Sequence, residues 1–114
     1  MQMSSTDRGE YQVITVAENR IDAAVAIAFK DRMRTLTDGG QTEVLLDLSA
    51  VAFIDSSGLG AIVGAMKQLG GDRKLHLAGL MPNVVKVFRL TRMDKVFSIH
   101  DTVEQAFSHH ADRA

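Results

Sequence analysis

The residues best placed to do chemistry lie together in Asp55-Ser56-Ser57-Gly58-Leu59-Gly60, between an aliphatic run and a segment of helical periodicity. A helix that opens here exposes unpaired backbone N–H groups and the positive end of the helix dipole, a place suited to a hydroxyl cap or a phosphoryl group. Ser56 and Ser57 put two hydroxyls at that spot, and spacing does not choose between them. Gly58 and Gly60 withhold side chains beside the hydroxyls, which lets a foreign backbone or active site come close. Each glycine in a helical turn costs about 1 kcal/mol relative to alanine, so a compensating role is expected. Approach by a partner is one such role. The plainer alternative is that Asp55 or Ser56 caps the helix and the glycines serve tight helix–sheet packing.

Other chemistries find less support. Gly58-Leu59-Gly60 follows a strand, but a dinucleotide fingerprint wants a third small residue where Val63 stands, and the Gly-Lys-Ser/Thr of a P-loop is absent. His76, His100, His109 and His110 are not spaced as a metal set, nor does any of them suggest a Ser-His-Asp arrangement with Ser56. His76 reads as a strand-surface residue and His109-His110 as a solvated helix end.

The elements that must position the hydroxyls alternate along the chain. Tyr11 to Val16 is aromatic and β-branched and reads as a strand. Asp22 is a candidate N-cap for a helix over about 23–37, with Val25, Phe29, Met33 and Leu36 in one apolar stripe and Asp38-Gly39-Gly40 ending it. Val44 to Leu48 is nearly continuous in apolar residues, which predicts a strand covered on both faces. Val51 to Ile54 leads to the serines, and Leu59, Ile62, Val63, Met66 and Leu69 keep helical spacing until Gly70-Gly71. Lys74 to Ala78 alternates, with His76 expected outward. Pro82 suits the first turn of a helix that packs Val84, Val85 and Phe88. Val96 to Ile99 predicts a last strand, and Asp101 with Glu104 forms a capping-box-like pair before a last helix. This order predicts an α/β domain with helices on a mostly parallel sheet. Residues 1–9 are expected as a flexible N-terminal tail, 10–108 as the domain and 109–114 as a flexible C-terminal end.

Composition narrows the function. In 114 residues, 13 Lys+Arg stand against 14 Asp+Glu, with no dense basic run, which argues against a nucleic-acid binder held by phosphate neutralisation. No apolar run approaches the roughly 18 residues that span a bilayer. Met1 to Glu10 is polar, without a signal-like apolar segment, and cysteine is absent, which suits a reducing compartment. A cytoplasmic domain is expected.

The stretch Leu45-Leu46-Asp47-Leu48-Ser49, followed by Phe53-Ile54-Asp55-Ser56-Ser57-Gly58-Leu59-Gly60, resembles the signature of the STAS domain, and specifically of bacterial anti-sigma factor antagonists. The similarity runs from about Tyr11 to Phe107. Asn19-Arg20-Ile21-Asp22 stands where the family usually has a Gly-Glu-Leu-Asp-like turn, and Pro82 to Phe88 resembles its third helix. Arg20, Asn19 and Met81 depart from the usual residues. The resemblance implies a single STAS-like α/β domain, a mixed, mostly parallel sheet with about four helices mainly on one face. It further implies phosphorylation at Ser56 (Ser57 is the runner-up) by a partner that is both anti-sigma factor and serine kinase. Unphosphorylated, such a protein binds that partner and frees a sigma factor, and a PP2C-type phosphatase restores it. The chain itself would be no enzyme and need no cofactor. Asp22 and Asp55 would shape an acidic surround, and Ser57, Gly58, Leu59 and Gly60 the docking surface. Two alternatives stand beside this: a STAS interaction subunit without a phospho-switch, and a receiver-like domain with Asp47 as phosphoacceptor. A receiver also needs an acidic pair after its first strand and a late lysine; Glu18 and Asp22 are not adjacent, and no lysine follows Val96 to Ile99.

Overall fold

The structure is a computed structural model describing residues 1–113, with side chains through Ser108. Its elements in chain order are β1 (Met3–Arg8), β2 (Tyr11–Val16), β3 (Arg20–Ile21), α1 (Ala26–Thr37), β4 (Glu43–Asp47), β5 (Phe53–Ile54), α2 (Ser56–Leu69), β6 (Lys74–Ala78), α3 (Pro82–Leu90), a 3₁₀ turn (Met93–Lys95), β7 (Ser98–His100) and α4 (Val103–Arg113). The main sheet has the order β1-β2-β4-β6-β7, parallel except for β1, and β3 pairs with β5 in a separate two-stranded parallel sheet.

The apolar run expected to be covered on both faces is β4, central in the sheet. Its Val44 and Leu46 pack with Phe29 and Met33 of α1, Ile62 and Ala65 of α2, and Val84 and Phe88 of α3. Leu45 faces the other way and joins Tyr11, Val13 and Ala78 beneath Ala106 of α4. Three helices therefore cover one face and α4 the other, which explains why strand alternation is lost at this position. Among the described residues no helix is long and apolar enough to cross a membrane.

Several expectations are corrected. The segment read as an N-terminal tail is the edge strand β1, pairing from Met3↔Val16 to Arg8↔Tyr11. Its residues beyond Met3 are exposed, so main-chain bonding holds it and no hydrophobic pattern announces it. Helix α1 begins at Ala26, because Asp22 first closes a turn: its Oδ1 accepts from Ala24 N–H at 3.1 Å and its carbonyl from Val25 N–H at 3.1 Å. At α4, Thr102 Oγ1 accepts from Gln105 N–H at 3.0 Å, so the cap is Thr102 and not Asp101. The last strand starts two residues later than expected, because Val96 and Phe97 are bonded back to Met93 in the 3₁₀ turn. His76, expected outward, is buried. Its Nε2 lies 3.3 Å from Glu43 Oε1 and its Nδ1 3.3 Å from His100 Nε2, with Tyr11 stacked edge-on. It does point away from Leu75 and Leu77, but α4 covers that face. The backbone of 109–113, read as a fraying end, continues α4; Ala114 lies outside the described residues.

Candidate functional site

The short β3–β5 pair brings two turns together. Arg20 lies beside Phe53 and Ile21 beside Ile54, so Asp22 and Asp55 leave the same end of the pair. The Asp55 carboxylate then ties the two chain segments. Oδ1 accepts from Gly58 N–H at 2.8 Å, capping α2, and Oδ2 accepts from Ala23 N–H at 3.2 Å, at the turn ahead of α1. One side chain thus satisfies donors at the start of two helical segments. Asp22 is engaged as well, its Oδ2 2.9 Å from Arg20 Nε. Both carboxylates expected as acidic surround are present at the site, each held in place by backbone bonds.

The two glycines divide their roles. A Cβ on Gly58 would stand 1.9 Å from the carbonyl oxygen of Ile21, so only glycine lets α2 approach β3 this closely. Gly58 and Leu59 are both buried, and Leu59 belongs to the core cluster. These two residues, expected on the docking surface, face inward in the chain alone and pack the helix start. Gly60 is exposed, and a Cβ there would meet nothing within 4 Å.

Ser56 and Ser57 occupy the first two positions of α2, beyond the capping carboxylate, and both are exposed. Among the described residues no hydrogen bond holds the Ser56 hydroxyl. Residues four apart lie over one another on a helix. Ser56 accordingly stands over the open Gly60, whereas Ser57 stands over the buried Ala61. The helix dipole points its positive end at both hydroxyls. The described imidazoles, His76 and His100, sit across the sheet in the layer under α4, so neither is assembled with Ser56. The rival acceptor Asp47 turns its Oδ1 to Ser49 N–H at 3.0 Å.

Reading along the sequence missed three contributors: Ile21, whose carbonyl sets the glycine requirement; Phe53, 43% exposed beneath the Arg20 guanidinium at 4.9 Å; and Asn83 of α3, whose amide donates to the Ala52 carbonyl. The one local signal was the pairing of Arg20 with Asp22 two residues on.

The chain is similar to known proteins in sequence and in fold. The anti-sigma-B factor antagonist of Staphylococcus aureus is 25% identical over 97 residues, covering 84% of this chain and 81% of that protein. Among solved structures, an anti-sigma factor antagonist from Mycobacterium paratuberculosis superposes with TM-score 0.84 at 24% identity, covering 95% of this chain and 92% of the other. SpoIIAA in its phosphorylated form, described as a Bacillus cell fate determinant, superposes with TM-score 0.67 at 22% identity, covering 95% and 98%. The STAS domain description matches residues 5–106, a span that runs from β1 through the site into α4, and the chain belongs to the STAS domain family.

Proposed function

We propose that this chain is an anti-sigma factor antagonist switched at Ser56. With a free hydroxyl it binds an anti-sigma factor that is also a serine kinase, in the cytoplasm, and so releases a sigma factor. The partner then transfers the terminal phosphoryl group of ATP to Ser56 Oγ: the new O–P bond forms as the bond to ADP breaks, and the hydroxyl proton passes to the kinase. A PP2C-type phosphatase hydrolyses the ester and resets the protein. The observation that carries this reading is the exposed Ser56 hydroxyl, at the first position of α2, above the open face of Gly60. That stacking also favours Ser56 over Ser57. The names of the similar proteins support the antagonist role.

The physics of such a switch is local. A phosphoryl group adds about −1.5 to −2 charges, which a helix N-terminus tolerates without a change of fold. In an interface the same charge is desolvated beside Asp22 and Asp55. An unpaired buried interfacial charge costs about 2–5 kcal/mol, or roughly 30-fold to a few thousand-fold in affinity.

Intact-mass measurement after incubation with ATP and the cognate kinase tests it. One phosphoryl group should be gained by the wild type and by Ser57→Ala, and none by Ser56→Ala. No gain by the wild type, with a kinase active on another substrate, would leave a STAS interaction subunit without a switch.

A further inference from the structure

Beside the candidate acceptor, on the minor sheet, lies an exposed pair that the phosphoryl switch does not use. Arg20 and Phe53 are register partners across β3 and β5, and the guanidinium carbon sits 4.9 Å from the Phe53 ring centroid. Arg20 Nε donates to Asp22 Oδ2 at 2.9 Å, and among the described residues this is the guanidinium's one hydrogen bond. The stack is nonetheless open to solvent: the Arg20 side chain is 58% exposed and Phe53 43%.

Its footing is rigid. Ala52, next to Phe53, donates its N–H to the Asn19 carbonyl at 2.7 Å, and its own carbonyl accepts from the Asn83 amide of α3. Phe53 is therefore held between β3 and α3, while Asp22 and the ring fix the guanidinium from two sides. Such a guanidinium loses little conformational freedom on binding, and its unused Nη donors form a planar fork that fits a carboxylate. Arginine and aromatic residues are also the types that dominate binding energy at protein interfaces. The pair is continuous with the candidate site. Asp22, which holds Arg20, heads the turn whose Ala23 N–H is bound by Asp55, the residue before Ser56.

We propose that the Arg20–Phe53 stack is a recognition anchor for the anti-sigma partner, one that selects a partner surface presenting a carboxylate next to an apolar side chain. The carboxylate pairs with the Arg20 Nη edge, and the apolar group lies on the exposed part of the Phe53 ring. This rests on the proposed antagonist role and adds to it the chemistry of the partner's complementary surface.

Titration of the cognate kinase with wild type, Arg20→Gln, Arg20→Glu, Arg20→Lys and Phe53→Leu tests the anchor, with circular dichroism melts to check that each variant is folded. Loss of a charge-assisted, partly desolvated bond predicts about 10- to 100-fold weaker binding for Arg20→Gln, and weaker still for Arg20→Glu. Arg20→Lys should recover only part, because an ammonium lacks the fork. Affinity of the wild type should fall more steeply with salt than that of Arg20→Gln. A glutamate- or aspartate-to-lysine change on the kinase should restore binding to Arg20→Glu, a result that a merely structural role for Arg20 would not give. If the wild type binds and is phosphorylated while folded Arg20→Glu and Phe53→Leu bind equally well, the anchor is overturned and the switch stands. If the wild type neither binds the kinase nor gains a phosphoryl group, the antagonist role fails and the anchor with it.

Discussion

Alanine at Gly58 and alanine at Gly60 should move stability in opposite directions, although the two positions lie in the same first turns of one helix. At Gly58 the new Cβ would stand 1.9 Å from the Ile21 carbonyl oxygen and 2.7 Å from its carbon. Both are backbone atoms of β3 and cannot rotate away. The start of α2 has to shift outward, which strains the Asp55 bonds to Gly58 and Ala23 that depend on this spacing. Overpacking of this kind costs about 1–3 kcal/mol, set against at most about 1 kcal/mol gained from better helix propensity. The net is a loss of up to about 2 kcal/mol, a fall in melting temperature of several degrees at about 4 °C per kcal/mol for a domain of this size. At Gly60 no atom beyond its own stretch of helix backbone lies within 4 Å of the added Cβ, so only the propensity gain remains, about 0.5–1 kcal/mol of stabilisation. Thermal and urea unfolding of the two variants measures both changes. Two shifts of the same sign would refute the division of labour between the glycines. The functional readout differs again: the more stable Gly60→Ala adds a methyl group beneath Ser56, and should be phosphorylated more slowly by the cognate kinase.

Further outcomes follow from the same contacts. Ser56→Ala should keep the kinase affinity within about threefold, while Ser56→Asp should weaken it by 30-fold or more, as read by calorimetric titration. Asp55→Ala removes the cap of α2 and the acceptor of Ala23 N–H together, and should lower unfolding free energy by about 1–3 kcal/mol in urea titrations. Deleting residues 1–8 strips β1 from β2 and bares a sheet edge whose residues are mostly buried; a lower melting temperature and concentration-dependent self-association in light scattering are expected. An unchanged melt would mean that the segment contributes nothing to the fold.

Much of the architecture is legible along the chain because helices and strands carry different apolar periods. Of the stripe Val25, Phe29, Met33 and Leu36, the last three become the inner face of α1 and Val25 packs just ahead of it, while the unbroken run at Val44 becomes the central strand. The helix opening at Ser56 is equally local, since an acidic cap followed by small polar residues carries its own geometry. Boundaries governed by single caps shifted: Asp22 closes a turn ahead of α1 where it could equally have started the helix, and Thr102, one residue beyond Asp101, caps α4. Alternation at His76 told which way the side chain turned relative to Leu75 and Leu77. It could not tell that another helix waits on that side.

The sequence by itself determined the alternating α/β order, the place where a helix begins, and the pair of hydroxyls set there, because these depend on neighbours a few residues away. Tertiary structure alone decided the rest. It recruited a polar N-terminal segment as an edge strand, made Gly58 indispensable through the Ile21 carbonyl, left Gly60 open, and laid Arg20 over Phe53. Gly58 against Ile21 and Arg20 over Phe53 are meetings of segments more than thirty residues apart, and the edge strand, though next to β2 in the chain, shows no apolar pattern; a local pattern holds no record of what it will be folded against.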